Sequence, residues 1–374
     1  MKNFKAGRYI NQGTHKSFQP AKINRKWDVV NMELIKLLSQ ADRQLGRLDM
    51  YSEYIPNIDL FISMHVLKEA SQSNKIEGTK TNIEEALLDK KDVSKEKRDD
   101  WEEVQNYILA LNTAISTLEK LPFSSRLIKE SHKILLKGVR GKYKLPGEFR
   151  SSQNWIGGAS IKDATFVPPT HTTVNEYMGD LEKFAHNDEH GLPDLLKIAL
   201  IHYQFETIHP FLDGNGRVGR LMITLYLVEK GLLKKPILYL SDFFEKNRTL
   251  YYDNLTHVRE KSDLTRWFKF FLVGVIETAK NSIKTFDSIL KLEKEVNSKL
   301  QKLGSRSNNA QTIINYLFQR PILNAQKAKE LTNLSLPSVY KLIVEMEELC
   351  IIREITGAKR GKLYLLRGYI NLFE

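Results

Sequence analysis

The chain of 374 residues carries 57 Lys and Arg against 45 Asp and Glu, a net charge of +12. A hydrophobic fraction of 41% with 27% charged residues is that of a globular protein with room for two or three cored domains. One cysteine, Cys350, excludes an intramolecular disulfide and a Cys-rich zinc site, and the most apolar stretch, 268–276, is interrupted by Lys269 and too short to span a bilayer. Residues 1–13 lack the apolar core of a secretory signal. The expectation is a soluble, cytoplasmic protein with no membrane partner. Its basic excess is split between residues 1–50, with ten basic against four acidic side chains, and residues 305–374, with ten against six. Phosphate and nucleic acid both remain compatible with that charge.

In chain order, apolar residues at helical spacing predict helices over 29–45, 60–76 and 101–118. Residues 1–120 thus read as an N-terminal helical region. Between Gly147 and Pro169 the rhythm breaks, and Trp155-Ile156, Gly157-Gly158 and 159–167 predict two short strands about a glycine turn. Helices resume over 192–208, 218–229 and 264–303, so 121–285 reads as a helical domain carrying one β-hairpin. A charged helix, 286–304, links it to residues 305–374. There, helical segments at 310–320, 324–331 and 336–349 precede a hairpin whose turn carries Lys359, Arg360 and Lys362. Three helices and a hairpin resemble a winged helix-turn-helix, with 335–349 as recognition helix. Lys341 is the basic residue in that helix while Glu345, Glu347 and Glu348 crowd its end, so DNA and protein partners both stay open. The fold class expected is mainly α, with a small β-hairpin and a C-terminal winged helix.

The chemistry is concentrated in His209-Pro210-Phe211-Leu212-Asp213-Gly214-Asn215-Gly216-Arg217-Val218-Gly219-Arg220. Pro210 ends one helix and a second begins near Val218. Two glycines flanking Asn215 allow a loop that aims several N–H groups at one point, and the helix start behind them adds its dipole, which makes an anion cradle. Arg217 and Arg220, three apart, share a helix face and offer forked donors to phosphate oxygens. Asp213 adds the hard oxygen that Mg²⁺ takes beside phosphates, and His209 is a proton acceptor near neutral pH. The parts point to Mg²⁺–nucleotide chemistry.

This segment resembles the core motif of the Fic family, H-x-F-x-D/E-G-N-G-R-x-x-R, at every specified position. The resemblance implies a protein adenylyltransferase, which moves AMP from ATP to a Ser, Thr or Tyr hydroxyl of a target protein or of itself. It gives His209 the role of base and Asp213 that of Mg²⁺ ligand. Gly214, Asn215 and Gly216 would bind phosphate oxygens, with Val218 and Gly219 continuing the ATP-contacting run. Arg217 and Arg220 would hold the β- and γ-phosphates. Asn247 is the candidate for adenosine, and Trp155, Ile156, Ala164, Thr165 and Phe166 match the family's target-binding flap. Gly147 and Arg150 are also similar to the family, and the likeness covers roughly residues 60–280.

Ser73-Asn74-Lys75-Ile76-Glu77-Gly78 resembles the family's inhibitory motif, [S/T]-x-x-x-E-[G/N]. Ser73 and Glu77 share a helix face, and a carboxylate in the last turn opposes the helix dipole unless a cation answers it. The resemblance names Arg220 as that cation, making Glu77 a brake on ATP and placing the chain with members whose inhibitory helix is N-terminal. Three other readings stand beside this one. His202, Glu206 and His209 are spaced for a metal on one helix. The C-terminal module fits a DNA-binding regulator. AMP removal on the same scaffold, or assembly into a homo-oligomer, is also compatible.

Overall fold

The computed structural model describes residues 4–373 apart from 30, 56, 57 and 139, with the backbone alone for 60, 61, 140 and 142. Ahead of the first expected helix, the chain opens on strands: β1 (Gly7–Asn11) and β2 (Lys16–Pro20) pair antiparallel, with Tyr9 opposite Phe18 and Asn11 opposite Lys16. A lone hairpin is marginal in water. This one is docked, since Phe18 is buried and its N–H donates to the Val167 carbonyl at 2.9 Å.

Four helices follow: α1 (Met32–Tyr54), α2 (Ile58–Ile76), the short α3 (Ile83–Leu87) and α4 (Arg98–Thr117). Asn31 and Asn82 cap α1 and α3, accepting from the Leu34 and Glu85 N–H groups at 2.9 and 2.8 Å. Next come α5 (Ser125–Leu135), α6 (Val174–His186), α7 (Asp194–Ile208) and α8 (Asn215–Glu229). Every residue of α7 from Leu195 to Ile208 is buried. Its apolar residues fall on every side and put it at the centre, and the polar ones buried with them find partners there, as Lys197 does in the Asn187 carbonyl and Gln204 in that of Ala21. The core closes with α9 (Ser241–Lys246), α10 (Arg248–Lys261) and the long α11 (Leu264–Leu300), along which α1 packs.

At Gly304, φ 57° and ψ −125° break the helical path. Beyond it lie α12 (Ser307–Gln319), β3 (Ile322–Asn324), α13 (Ala325–Thr332), α14 (Leu336–Glu348), β4 (Arg353–Glu354), β5 (Leu363–Leu365) and α15 (Arg367–Ile370). The three strands form an antiparallel sheet in the order β3-β5-β4. This segment seats on α2: Ser63 donates to the Gln319 carbonyl at 2.9 Å, and the His65 ring lies against Phe286 and Phe373. Among the described residues no helix is long and apolar enough to cross a membrane.

Candidate active site

The loop between α7 and α8 is set by its first residue. His209 ends α7 in the left-handed region, φ 50° and ψ 60°. That costly backbone is held from outside. Arg150, buried among carbonyls, donates through Nε to the His209 carbonyl at 3.0 Å and through Nη2 to those of Pro169 and Ile208. Asn154 Nδ2 donates to the Phe211 carbonyl at 2.9 Å and more weakly to that of His209 at 3.4 Å. Under the loop, the His132 ring stacks on Phe211 with centroids 3.7 Å apart. The Gly147 N–H donates to its Nδ1 at 2.9 Å, so its Nε2 carries the hydrogen and donates to the Asp213 carbonyl at 3.0 Å. Burial pushes His132 down to about 4, which keeps that tautomer neutral.

His209 is itself a neutral imidazole. Burial first, then the Arg150 charge, push it down to about 4, with Glu77 acting in the opposite sense. Its Nδ1 is buried at the end of α7, beside the Glu206 backbone. A ring that is deprotonated at neutral pH is ready to accept a proton.

At the start of α8 the backbone N–H groups have no intrahelical partners. The Asn215 side chain staples the loop, its Oδ1 accepting from the Phe211 N–H at 2.8 Å and its Nδ2 donating to the Phe211 carbonyl at 2.9 Å. Asp213 is partly exposed, and its Oδ1 accepts from the Gly214 N–H at 2.6 Å. The two arginines are engaged differently. Arg217 Nη1 lies 3.1 Å from Glu103 Oε2 and 3.4 Å from Asn74 Oδ1, and Nη2 lies 3.6 Å from Asp213 Oδ1. Arg220 is taken up by the end of α2: Nε donates to Ser73 Oγ at 2.9 Å, and Nη2 to the Ser73 carbonyl at 2.8 Å and Glu77 Oε1 at 2.7 Å. The Glu77 carboxylate also presses on the helix start. A Cβ at Gly216 would stand 2.3 Å from Glu77 Oε1 and 2.9 Å from Arg220 Nη1, so only glycine admits it there. Burial alone would raise Glu77; Arg220, followed by Arg217 and His209, outweighs it and holds the carboxyl below its ordinary range.

About two turns before Glu77, on α2, buried Glu69 accepts from Tyr107 Oη at 2.9 Å and Ser241 Oγ at 2.6 Å, fixing this helix to α4 and α9. The structure therefore brings His209, Asp213, Gly214, Asn215, Gly216, Arg217, Arg220, Ser73 and Glu77 to one place. Val218 and Gly219 face inward instead: Val218 is buried, and a Cβ at Gly219 would meet Glu206 Oε1 at 2.3 Å. Asn247 is not brought to the loop. Its amide donates to the Phe243 carbonyl at 3.0 Å, and it lines a cavity shared with His65, Lys68 and Asp242.

The flap is a single bridged pair rather than two strands. Ile156 and Phe166 exchange both backbone hydrogen bonds, at 2.8 and 3.1 Å. Gly157 and Gly158 then turn with φ near 70°, and the Asp163 carboxylate accepts from the Ala159 and Ser160 N–H groups, so the tip curls into a turn. Trp155 and Thr165 stay exposed, Ala164 is half-buried, and Arg259 lies over the Phe166 ring at 3.9 Å. The alternative metal spacing is used otherwise. His202 Nδ1 donates to the Gly219 carbonyl at 2.9 Å, leaving Nε2 to accept from Tyr251 Oη at 2.8 Å. Burial raises Glu206 to about 7, and among the described residues no His, Cys, Asp and Glu cluster could hold a metal by itself. Glu103, His132 and Asn154 carried no local sequence signal; their roles arise from elements far apart in the chain.

Residues 35–116 match the Fic/DOC family N-terminal model and residues 122–227 the Fic/DOC family model. The chain belongs to the Fic/DOC family. An Aquifex aeolicus protein named as a probable protein adenylyltransferase is 30% identical over 159 residues, 40% of this chain and 45% of that one. The protein adenylyltransferase Fic of Aedes aegypti is 32% identical over 125 residues, 33% of this chain and 22% of that one. The chain thus spans less than half the length of these curated relatives. Among solved structures, a Fic family protein from Desulfovibrio desulfuricans superposes with a TM-score of 0.60 at 20% identity, covering 91% of this chain and 98% of that one. Fic-1 of C. elegans superposes with a TM-score of 0.52 at 19% identity, covering 68% and 74%. These likenesses show the Fic fold.

Proposed function

We propose that this Fic protein is a protein adenylyltransferase held in check by Glu77. The observation that carries the reading is the Glu77 carboxylate, seated on Arg220 and against Gly216, where the start of α8 would otherwise receive an anion. In the released enzyme Arg220 and Arg217 take phosphate oxygens, and the N–H groups of α8 face the same anion. A target hydroxyl gives its proton to His209 while its oxygen attacks the α-phosphorus. The bond from that phosphorus to the bridging oxygen breaks, and pyrophosphate leaves. The loop contributes mainly by positioning, which Arg150, Asn154 and His132 enforce.

Asp213 fits Mg²⁺, because its carboxylate is partly exposed and hard, and a lone carboxylate suffices when phosphates supply further oxygens. The ion would neutralise charge on the phosphates. As for the C-terminal module, read as a winged helix, the outer face of α14 carries exposed Leu336, Tyr340 and Val344 at spacings of four. That apolar stripe suits a protein partner better than a phosphate backbone.

Purified chain with ATP labelled at the α- or the γ-phosphate tests the reading. Label from the α position alone should mark protein, more strongly in Glu77→Gly and not in His209→Ala. Marking from the γ position, or full labelling by His209→Ala, would falsify it.

A further inference from the structure

The N-terminal hairpin is joined to the flap rather than resting beside it. Alternation puts Tyr9, Asn11, Lys16 and Phe18 on one face of the hairpin, as cross-strand pairs Tyr9–Phe18 and Asn11–Lys16. That face meets the flap: the Phe18 and Phe166 rings lie 6.0 Å apart, Tyr9 sits edge-on to Phe18 at 5.1 Å, and the Phe18 N–H reaches the Val167 carbonyl. Beyond this joint the two diverge and leave a groove of about 370 Å³, lined by Tyr9, His15 and Lys16 on one wall and by Ile161, Lys162 and Thr165 on the other.

The groove is basic. Lys16 and Lys162 are exposed on opposite walls. The nearest acid on the flap, Asp163, is turned back onto the Ala159 and Ser160 N–H groups. Glu260, on α10, does not line the groove, and Tyr9 feels Arg259 from the same helix more strongly than it feels Glu260. Aromatic and aliphatic surface from Tyr9 and Ile161 supplies the apolar floor that peptide grooves use. The groove is continuous with Phe166, whose backbone is bridged to Ile156, two residues from the Asn154 that holds the His209 loop.

From this we infer that the hairpin is the second wall of the target site, and that the groove receives an acidic segment of the protein that is modified. The inference rests on the adenylyltransferase reading and adds the charge class of its target. The basic excess of residues 1–50 then serves substrate capture by electrostatic attraction.

The test uses the full chain carrying Glu77→Gly and two fluorescein-labelled peptides, each with a central Ser-Thr-Tyr, one flanked by glutamates and one by lysines. Anisotropy without ATP should show the acidic peptide binding, with affinity falling as salt rises. The basic peptide should bind about tenfold more weakly, and Lys16→Glu with Lys162→Glu should reverse the preference. Both lysines are exposed, and an unchanged melting curve verifies the fold. Equal binding of the two peptides, or a preference untouched by charge reversal, overturns the groove. Acidic-peptide binding without transfer of α-labelled AMP to any protein or peptide leaves the groove standing and sinks the chemistry instead.

Discussion

Two arginines three residues apart are held by two carboxylates from different helices, and the environments differ. Arg217 meets Glu103 of α4 with both side chains nearly sealed, at 5% and 8% exposure. Arg220 meets Glu77 just past the end of α2 with the arginine at 1% and the glutamate at 36%. A pair buried on both sides is a strut, because removing one partner strands a charge away from water. A pair whose glutamate side chain is part-exposed is a latch, because water reaches its edge and can replace the lost contact. Similar chemistry therefore serves permanence in one place and release in the other, and exposure decides which.

The sharpest way to break this contrast is Glu103→Ala. Stranding Arg217 should cost about 3–5 kcal/mol, seen as a lowered denaturation midpoint, and should abolish labelling. Arg150→Ala comes next. It takes the shortest donor from the carbonyls of His209 and Pro169, leaving only the longer contacts of Asn154 and Gln153, and should cost about 2–4 kcal/mol in denaturant titration. It also releases the left-handed His209, so AMP transfer at fixed ATP should fall roughly a hundredfold.

Glu77→Gly sharpens the contrast from the other side. Stability should move by less than about 1 kcal/mol, while labelling rises roughly ten- to a hundredfold, the worth of a charge-assisted contact returned to phosphate. A loss of stability matching that of Glu103→Ala would show that the latch is a second strut.

The same released variant gives a pH test. His209 is held at about 4, so the free enzyme keeps its imidazole neutral above that value and loses the base only as pH falls towards it. The profile of kcat/KM should lack an ionisation near 6.5 and bend downward only below about pH 5. The smallest effect belongs to Asn247→Ala. With its amide tied to Phe243, nucleotide affinity by fluorescence titration should change by less than about twofold.

The sequence made the loop and the Ser73–Glu77 helix end legible because both are local. His209 through Arg220 is one turn between two helices, and Ser73 with Glu77 is one helix end, so spacing alone groups their side chains. The central helices were legible for a similar reason, being apolar with punctuation at their ends. The strut was not, because Arg217 lies 114 residues from Glu103 and the two meet only when α4 packs on α8. Asn247 shows the converse: family likeness offered it for the nucleotide, whereas its helix-end amide bonds a carbonyl four residues back, beside a different cavity. The opening hairpin was missed because five-residue strands with one inward aromatic give little periodic signal. Their stability comes from a joint to the flap that lies outside any local window.

That joint also orders events in time. The N–H of Phe18 waits for a carbonyl made roughly 150 residues later, across a separation that penalises early closure. During synthesis the leading segment therefore emerges long before its seat exists, while the helices behind it can pair as they appear. The hairpin can close on its seat only after Val167 has been made, and the 209–220 loop is made later still.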